Sequence, residues 1–460
     1  MRFSLVQGRS SGRLISGFAT LAIGILFNPW VATWLFSADR HLEAWSRFLV
    51  FGFDVFMIAV GLICLFASRA VIIGLLTSAV AGLVALAAVD LAARPLLRDQ
   101  LYYRPEDVYK NRLQELPALS IFDRNVNYSG QTWGDLAAMT TQDSLREVRQ
   151  VDFRTDDYGF RNDPSYYDTT KPLDLIILGD SFGAGTGTSQ EEVWAALFHD
   201  KYGLNTYNLS MPGYAPWNEL IMFKRELPRL KIGPRTTVLW AVFGGNDFDE
   251  PCFADLDPKP VGFSKRLSVQ IQTFWRRSPL KMIAQRALIG LSSQISRDSA
   301  MVATLPDGRS ILCYSQYVRH DRRSLDEVRQ LPNLPKLRLV FEDMSKVTKE
   351  AGIKVLVAGL PTSYSIYGWV LDRTEPWQNT DTVIPVSILM AEMCRENGFD
   401  YVDLEPRMLS EARRLYERSG ELLWWRDDTH WNKYGHALAA QVITDRLAGN
   451  VPSQAVEQVH

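Results

Sequence analysis

The chain has 460 residues, with 50 Lys and Arg against 52 Asp and Glu and a formal net charge of −2. That balance gives no footing for a nucleic-acid partner. The four cysteines form no Cys-x-x-Cys or Cys/His cluster with metal-ligand spacing, so neither a metal nor a cofactor is expected.

Charge is spread unevenly, and almost all of it follows residue 90. Residues 1–93 therefore read as a membrane region. Leu14 to Phe36 is a long apolar stretch broken mainly by Asn28-Pro29, Phe48 to Ala67 is a second, and Ala70 to Val89 is a third. Each approaches the ~20 residues that a helix needs to cross a bilayer. A cleaved signal peptide has a shorter apolar run, ~7–15 residues, so three retained helices are predicted over 14–36, 48–67 and 70–89. The short Ser68-Arg69 turn makes the last two a tight hairpin. Asp54 inside a span is costly unless it is paired or reaches water. Its place a few residues from Phe48 suggests that it reaches water; the alternative is a polar contact with a partner membrane protein or a substrate route.

Arg2, Arg9 and Arg13 precede the first span, and the lysine and arginine bias slightly favours an inside N-terminus. Three spans then put the rest of the chain on the extracytoplasmic, periplasmic side, although Arg94 and Arg98 run against that orientation. The expectation is a multi-pass membrane protein with the lipid bilayer as one partner.

Residues 94–150 read as a linker and helical lead-in, with Arg104-Pro105-Glu106-Asp107 as a helix start. A turn-rich stretch, Asp156 to Asn162, precedes the first strand. Strands are then predicted at 173–178, near 206–208, at 236–243, 354–359 and 401–404. Helices are predicted at 190–202, 217–226, 333–352, 383–397 and 433–447. Such alternation implies a largely parallel sheet covered on both faces. This α/β domain spans 151–450, and 451–460 is a tail.

Residues of about 250–330 interrupt the alternation with Lys265, Arg266, Arg276, Arg277, Lys281 and Arg286 among Phe274, Trp275, Met282 and Ile283. They read either as a basic amphipathic lid for anionic lipid or an acidic glycan, or as a helical insertion with a solvated basic face. Cys252 and Cys313 could bridge within it, but spacing does not fix pairing.

Four blocks carry the chemistry. The strand at 173–178 ends at Gly179-Asp180-Ser181, followed by Phe182-Gly183-Ala184-Gly185. Asn208 to Tyr214 contains Gly213. The strand at 236–243 ends at Gly244-Gly245-Asn246-Asp247. Near the C-terminus stands Asp427-Asp428-Thr429-His430. In this order they resemble the SGNH or GDSL family of serine esterases and acyltransferases over roughly residues 150–450. The resemblance implies an SGNH-type three-layer α/β/α domain with a parallel central sheet. It places the family's four named residues on Ser181, Gly213, Asn246 and His430. Phe182 departs from the leucine of the namesake motif.

A serine hydroxyl needs a base to take its proton. His430 is the best of six histidines, since acids stand two and three residues before it; His436 reads as structural. Asp427 fits the family's Asp-x-x-His form and is the favoured partner, while Asp428 fits the Asp-x-His form of related alginate-acetylation proteins. The oxyanion donors would be the backbone N–H of Ser181, the N–H of Gly213 and the side-chain amide of Asn246. The implied activity is acyl ester chemistry, hydrolysis or O-acetyl transfer, on a cell-envelope or exported carbohydrate. A transferase would need an acetyl-donor membrane protein. A lipid esterase and a non-catalytic glycan-binding module are the alternatives.

Overall fold

The computed structural model describes residues 11–26, 28–31, 44–66, 69–101, 104–140, 143–250, 255–284, 300–371 and 384–449. Residues 32–36 of the first expected span, Cys252, Arg286 and the 451–460 tail lie outside them. The chain divides into two compact units, Met1–Ala92 and Ala93–His460.

The first unit holds α1 (Ser11–Leu26), α2 (Ala44–Phe66) and the start of α3 (Arg69–Leu101). Gly24 and Gly61 let α1 and α2 approach closely: a Cβ on Gly61 would lie 2.6 Å from Leu21, and one on Gly24 3.0 Å from Met57. Among the described residues, one helix segment is long and apolar enough to cross a membrane, Val80–Leu97 with mean hydropathy 1.8; Val50–Ile63 is apolar but shorter. Among the described residues, three spans are therefore not established. The third expected span, 70–89, lies wholly within α3, which continues through Pro95 to Leu101. Asp54 is buried in this unit, and its Oδ1 has no partner among the described residues.

In the second unit a five-stranded, all-parallel sheet forms the middle layer. Its strands are β5 (Leu175–Leu178), β6 (Thr206–Asn208), β7 (Thr237–Phe243), β10 (Lys354–Leu360) and β11 (Asp400–Asp403), in the order β11-β10-β7-β5-β6. Alternate side chains enter opposite cores, as the two-residue period of a strand requires. Ile176, Leu178, Val238, Trp240 and Val242 face one cluster. Leu175, Ile177, Leu239, Ala241 and Phe243 face the other. Helices α8 (Pro216–Glu226), α12 (Leu334–Glu350) and α14 (Pro385–Asn397) supply the first layer. Helices α7 (Trp194–Asp200), α15 (Glu405–Ser419) and α16 (Lys433–Leu447) supply the other.

The segment read as a linker is more than one. It forms α4 (Pro105–Tyr109), the antiparallel pair β1 (Lys110–Arg112) and β2 (Ser120–Phe122), a second pair β3 (Asn127–Thr132) and β4 (Arg149–Arg154), and α5 (Asp135–Thr140) between the latter. The Asp156–Asn162 turn closes the sheet edge at β6. Asn208 N donates to Asn162 Oδ1 at 2.9 Å, and Asn162 Nδ2 donates back to Asn208 O at 3.1 Å.

The insertion holds α9 (Phe263–Arg276), a hairpin of β8 (Ala300–Thr304) and β9 (Ser310–Tyr314), and α10 (Ser315–Asp321) and α11 (Leu325–Arg329). Cys313 is buried and in no disulfide.

Candidate active site

Ser181 opens α6 (Ser181–Ala184) directly after β5. Asp180 caps that turn, its carboxylate accepting from Phe182 N at 2.8 Å. Gly183 is glycine for lack of room, since a Cβ there would lie 2.6 Å from the Ser210 Cβ. The loop beyond is tied down by Arg161. This guanidinium is fully buried and donates to the carbonyls of Ala184, Gly185 and Thr188 at 3.1, 2.5 and 2.6 Å.

His430 Nε2 stands 2.7 Å from Ser181 Oγ, and His430 Nδ1 stands 2.7 Å from Asp428 Oδ1. The imidazole rests on Phe182, ring centroids 5.0 Å apart, and Phe182 packs in turn on Phe243 and Trp431. An aromatic residue after the serine thus provides a floor under the histidine.

The spacing argument for Asp427 is corrected. Its carboxylate turns away from His430 and accepts from Gly134 N at 2.7 Å, Glu147 N at 2.8 Å and Arg149 Nη1 at 3.2 Å. Three donors from the 134–149 segment hold it there. Asp428 takes the imidazole instead, while its second oxygen accepts from Arg104 and, at 2.6 Å, from Arg149 Nη2. Burial would raise the Asp428 carboxyl, but Arg104, the His430 bond and Arg149 outweigh it and hold the group well below the usual carboxylate range. Burial pushes Asp427 up to about 6 despite Arg149.

Arg104, Asp135 and Arg149 are site residues that the sequence reading missed. Asp135 accepts from Thr429 N at 2.9 Å and from Thr429 Oγ1 at 2.5 Å, and lies 3.7 Å from His430 Nδ1. Spacing could not reveal them, because they sit 279 to 324 residues from their partners. Oxygens of Asp135 and Asp428 and a nitrogen of His430 lie within 4.8 Å of one another, a geometry that could hold a cation. The positive charge at these carboxylates is already supplied by Arg104 and Arg149.

Gly213 takes φ +74°, in the left-handed region that favours glycine. The backbone N–H groups of Ser181 and Gly213 donate to no protein group among the described residues. Asn246 Nδ2 donates to Glu250 Oε1 at 2.7 Å, and its buried Oδ1 has no partner among the described residues. Behind this turn His320 Nδ1 meets the Gly245 carbonyl at 2.5 Å. His436 is buried against Trp431 and Trp194, away from Ser181, and burial lowers it to about 3. A cavity of about 740 Å³ adjoins Gly213, lined by Lys110, Trp217, Asn218, Glu250, Trp275 and Lys281 among others.

Burial also pushes Asp180 and Asp403 up to about 6 and Asp321 up to about 7. Groups raised above their unfolded values hold protons in the native state, so stability falls as pH rises through about 4 to 7. The buried His320 and His436, both lowered, act in the opposite sense but are fewer. Asp428 contributes stability that is lost only in stronger acid. The melting temperature is therefore expected to be higher at pH 5.5 than at pH 7.5, and a scan across this interval checks it.

No protein-family model matches the chain, and no curated protein matches it. Solved structures do. The chain is similar to a protein of Bacteroides fragilis described as an acylhydrolase, at 11% identity and TM-score 0.29, over 60% of this chain and 86% of the other. It is similar to a member of the lipolytic G-D-S-L family from Veillonella parvula at 13% identity and TM-score 0.29, over 61% and 98%. A gut microbial diltiazem-metabolizing enzyme aligns at 12% identity and TM-score 0.30, over 60% and 47%. Likenesses this distant transfer no residue role.

Proposed function

We propose that the chain is a serine acyl-enzyme of the SGNH/GDSL type, acting by hydrolysis or O-acetyl transfer on a cell-envelope or exported carbohydrate. The observation that carries the reading is the unbroken line from Ser181 Oγ through the imidazole to Asp428, each link 2.7 Å long. In this reading Ser181 attacks the ester carbonyl as His430 Nε2 takes its proton, and the same proton passes to the departing alkoxide. The acyl-Ser181 ester is then opened by water or by a sugar hydroxyl, whose proton returns to Ser181 through His430. The unengaged N–H groups of Ser181 and Gly213 would hold the oxyanion, with Asn246 joining once its amide turns from Glu250.

The carbohydrate reading is supported by the cavity beside Gly213. Its tryptophans offer flat faces and its lysines, Asn218 and Glu250 offer hydrogen bonds, a mixture suited to a hydroxylated ligand rather than a bare acyl chain. For the setting, we read Val80–Leu97 as a membrane span and the chain beyond it as extracytoplasmic. An O-acetyltransferase would draw acetyl groups from a separate membrane donor.

The test uses the full chain in detergent with an activated acetyl ester, followed by intact mass. A single acetyl adduct that is absent from Ser181→Ala is the expected result. Its decay in water, compared with decay in added oligosaccharide, sorts hydrolase from transferase. No adduct and no Ser181-dependent ester turnover would overturn the enzyme in favour of a glycan-binding module.

A further inference from the structure

Helix α9 has its apolar face on the wrong side for a buried helix. Val269 is 2% exposed and points into the protein, whereas Phe263, Leu267, Ile271, Phe274 and Trp275 are 81, 44, 50, 48 and 59% exposed. At the helical repeat these five cover a stripe of about 120°, roughly opposite Val269 and Thr273. Ile283, in the turns after α9, is exposed as well. A solvated basic face, one of the two readings of this insertion, would place charge rather than five large apolar groups outward.

Two further observations say what covers the stripe. From Pro258 to Arg286 the chain carries seven lysines and arginines and no acid. Some are held by the protein, as Arg277 is by Asp123 at 3.1 Å, while Lys265 is exposed beside the stripe. The other observation is Arg94. It lies near the end of the apolar segment Val80–Leu97, stacks on the Phe274 ring at 3.9 Å and donates to the Phe274 carbonyl at 3.2 Å. If that segment crosses the bilayer, α9 is fastened where it leaves the membrane.

We propose that α9 lies in the surface of an anionic bilayer, its five apolar side chains among the lipids and its cations at the headgroups. The argument from Arg94 rests on reading Val80–Leu97 as a span; the exposed stripe and the cations do not. It deepens the functional proposal, because Ile271 and Trp275 also line the cavity beside Gly213. The cavity then opens at the lipid–water boundary, and the substrate is one presented there, such as a membrane-linked glycan.

The experiment puts the photocrosslinker p-benzoylphenylalanine in place of Leu267, Leu83 or Asp326 in the full chain. The protein is reconstituted in phosphatidylcholine vesicles with or without phosphatidylglycerol, and lipid adducts are read by mass. Leu83 reports the span, and the exposed Asp326 on α11 gives the background. The expected result is a lipid adduct at Leu267 well above that background, stronger with phosphatidylglycerol and weakened about fivefold or more by Lys265→Glu. Lipid at Leu83 with none at Leu267, or a protein adduct at Leu267, overturns the docking and leaves the span standing. Lipid at Leu267 with none at Leu83 supports the docking and removes the span.

Discussion

Asp428→Asn is expected to lower kcat for ester turnover by about 10⁴-fold, and Asp427→Asn far less. An amide at position 428 can donate to His430 Nδ1, which moves the ring proton to Nε2. The nitrogen facing Ser181 Oγ across 2.7 Å would then carry a proton and have no room for the serine's. Asp427 makes no bond to the ring. The asparagine's amide oxygen can still accept from Gly134 and Glu147 N–H, which share one carboxylate oxygen, but its NH2 then faces Arg149 Nη1 where an acceptor stood, so about 1–3 kcal/mol of stability is the expected loss. Steady-state kinetics and urea denaturation of the two variants separate the roles. A larger kcat loss for Asp427→Asn would return the acid to that position.

Arg149→Met carries the largest expected change in stability, about 3–5 kcal/mol, because it removes one partner of a buried charge cluster. The guanidinium is buried over Trp425, with its carbon 4.2 Å from the ring centroid. It donates to both aspartates and to the carbonyls of Gly187 and Glu147 at 2.9 and 3.0 Å. Methionine fills much of the volume and supplies none of the charge. Asp427 and Asp428 then ionise less readily in the folded state, so the deficit should be larger at pH 7.5 than at pH 5.5. Arg149→Lys keeps a charge but loses the fork that reaches two carboxylates at once, and should fall between. Urea midpoints for both variants at the two pH values check this; a deficit that is small or independent of pH would show that the cluster does not depend on Arg149.

The sheet was legible because its strands are short apolar runs bounded by turns. The runs around 175–178, 237–243 and 354–360 bury every residue except Lys354, and a buried strand leaves a strong local signal. Ser181 and His430 were legible for a related reason, since each stands in a compact local motif. The partner acid was not. Both spacings allow a carboxylate to turn back towards the ring, and the choice is made by donors on a segment nearly 300 residues away. The region that leads to that segment was hidden as well: the strand Lys110–Arg112 consists of three polar residues and is only partly buried. Glu405–Ser419 was missed because its inward residues Met408, Ala412 and Leu415 are diluted by arginine and glutamate on the outer face. On α9, the reading of composition found the basic amphipathic helix, but only the packing revealed which side faces out.

The grip of Arg104 on Asp428 joins residues 324 positions apart. During synthesis at about 5–20 residues per second, Arg104 emerges well before its carboxylate exists. In the interval the first half of the clamp has no mate, and the imidazole that it will help to orient has not been made. A chain that stops short of Asp428 can complete most of the sheet yet owns no proton relay. Ser181 is therefore armed last, and an unfinished or clipped protein would stay chemically silent.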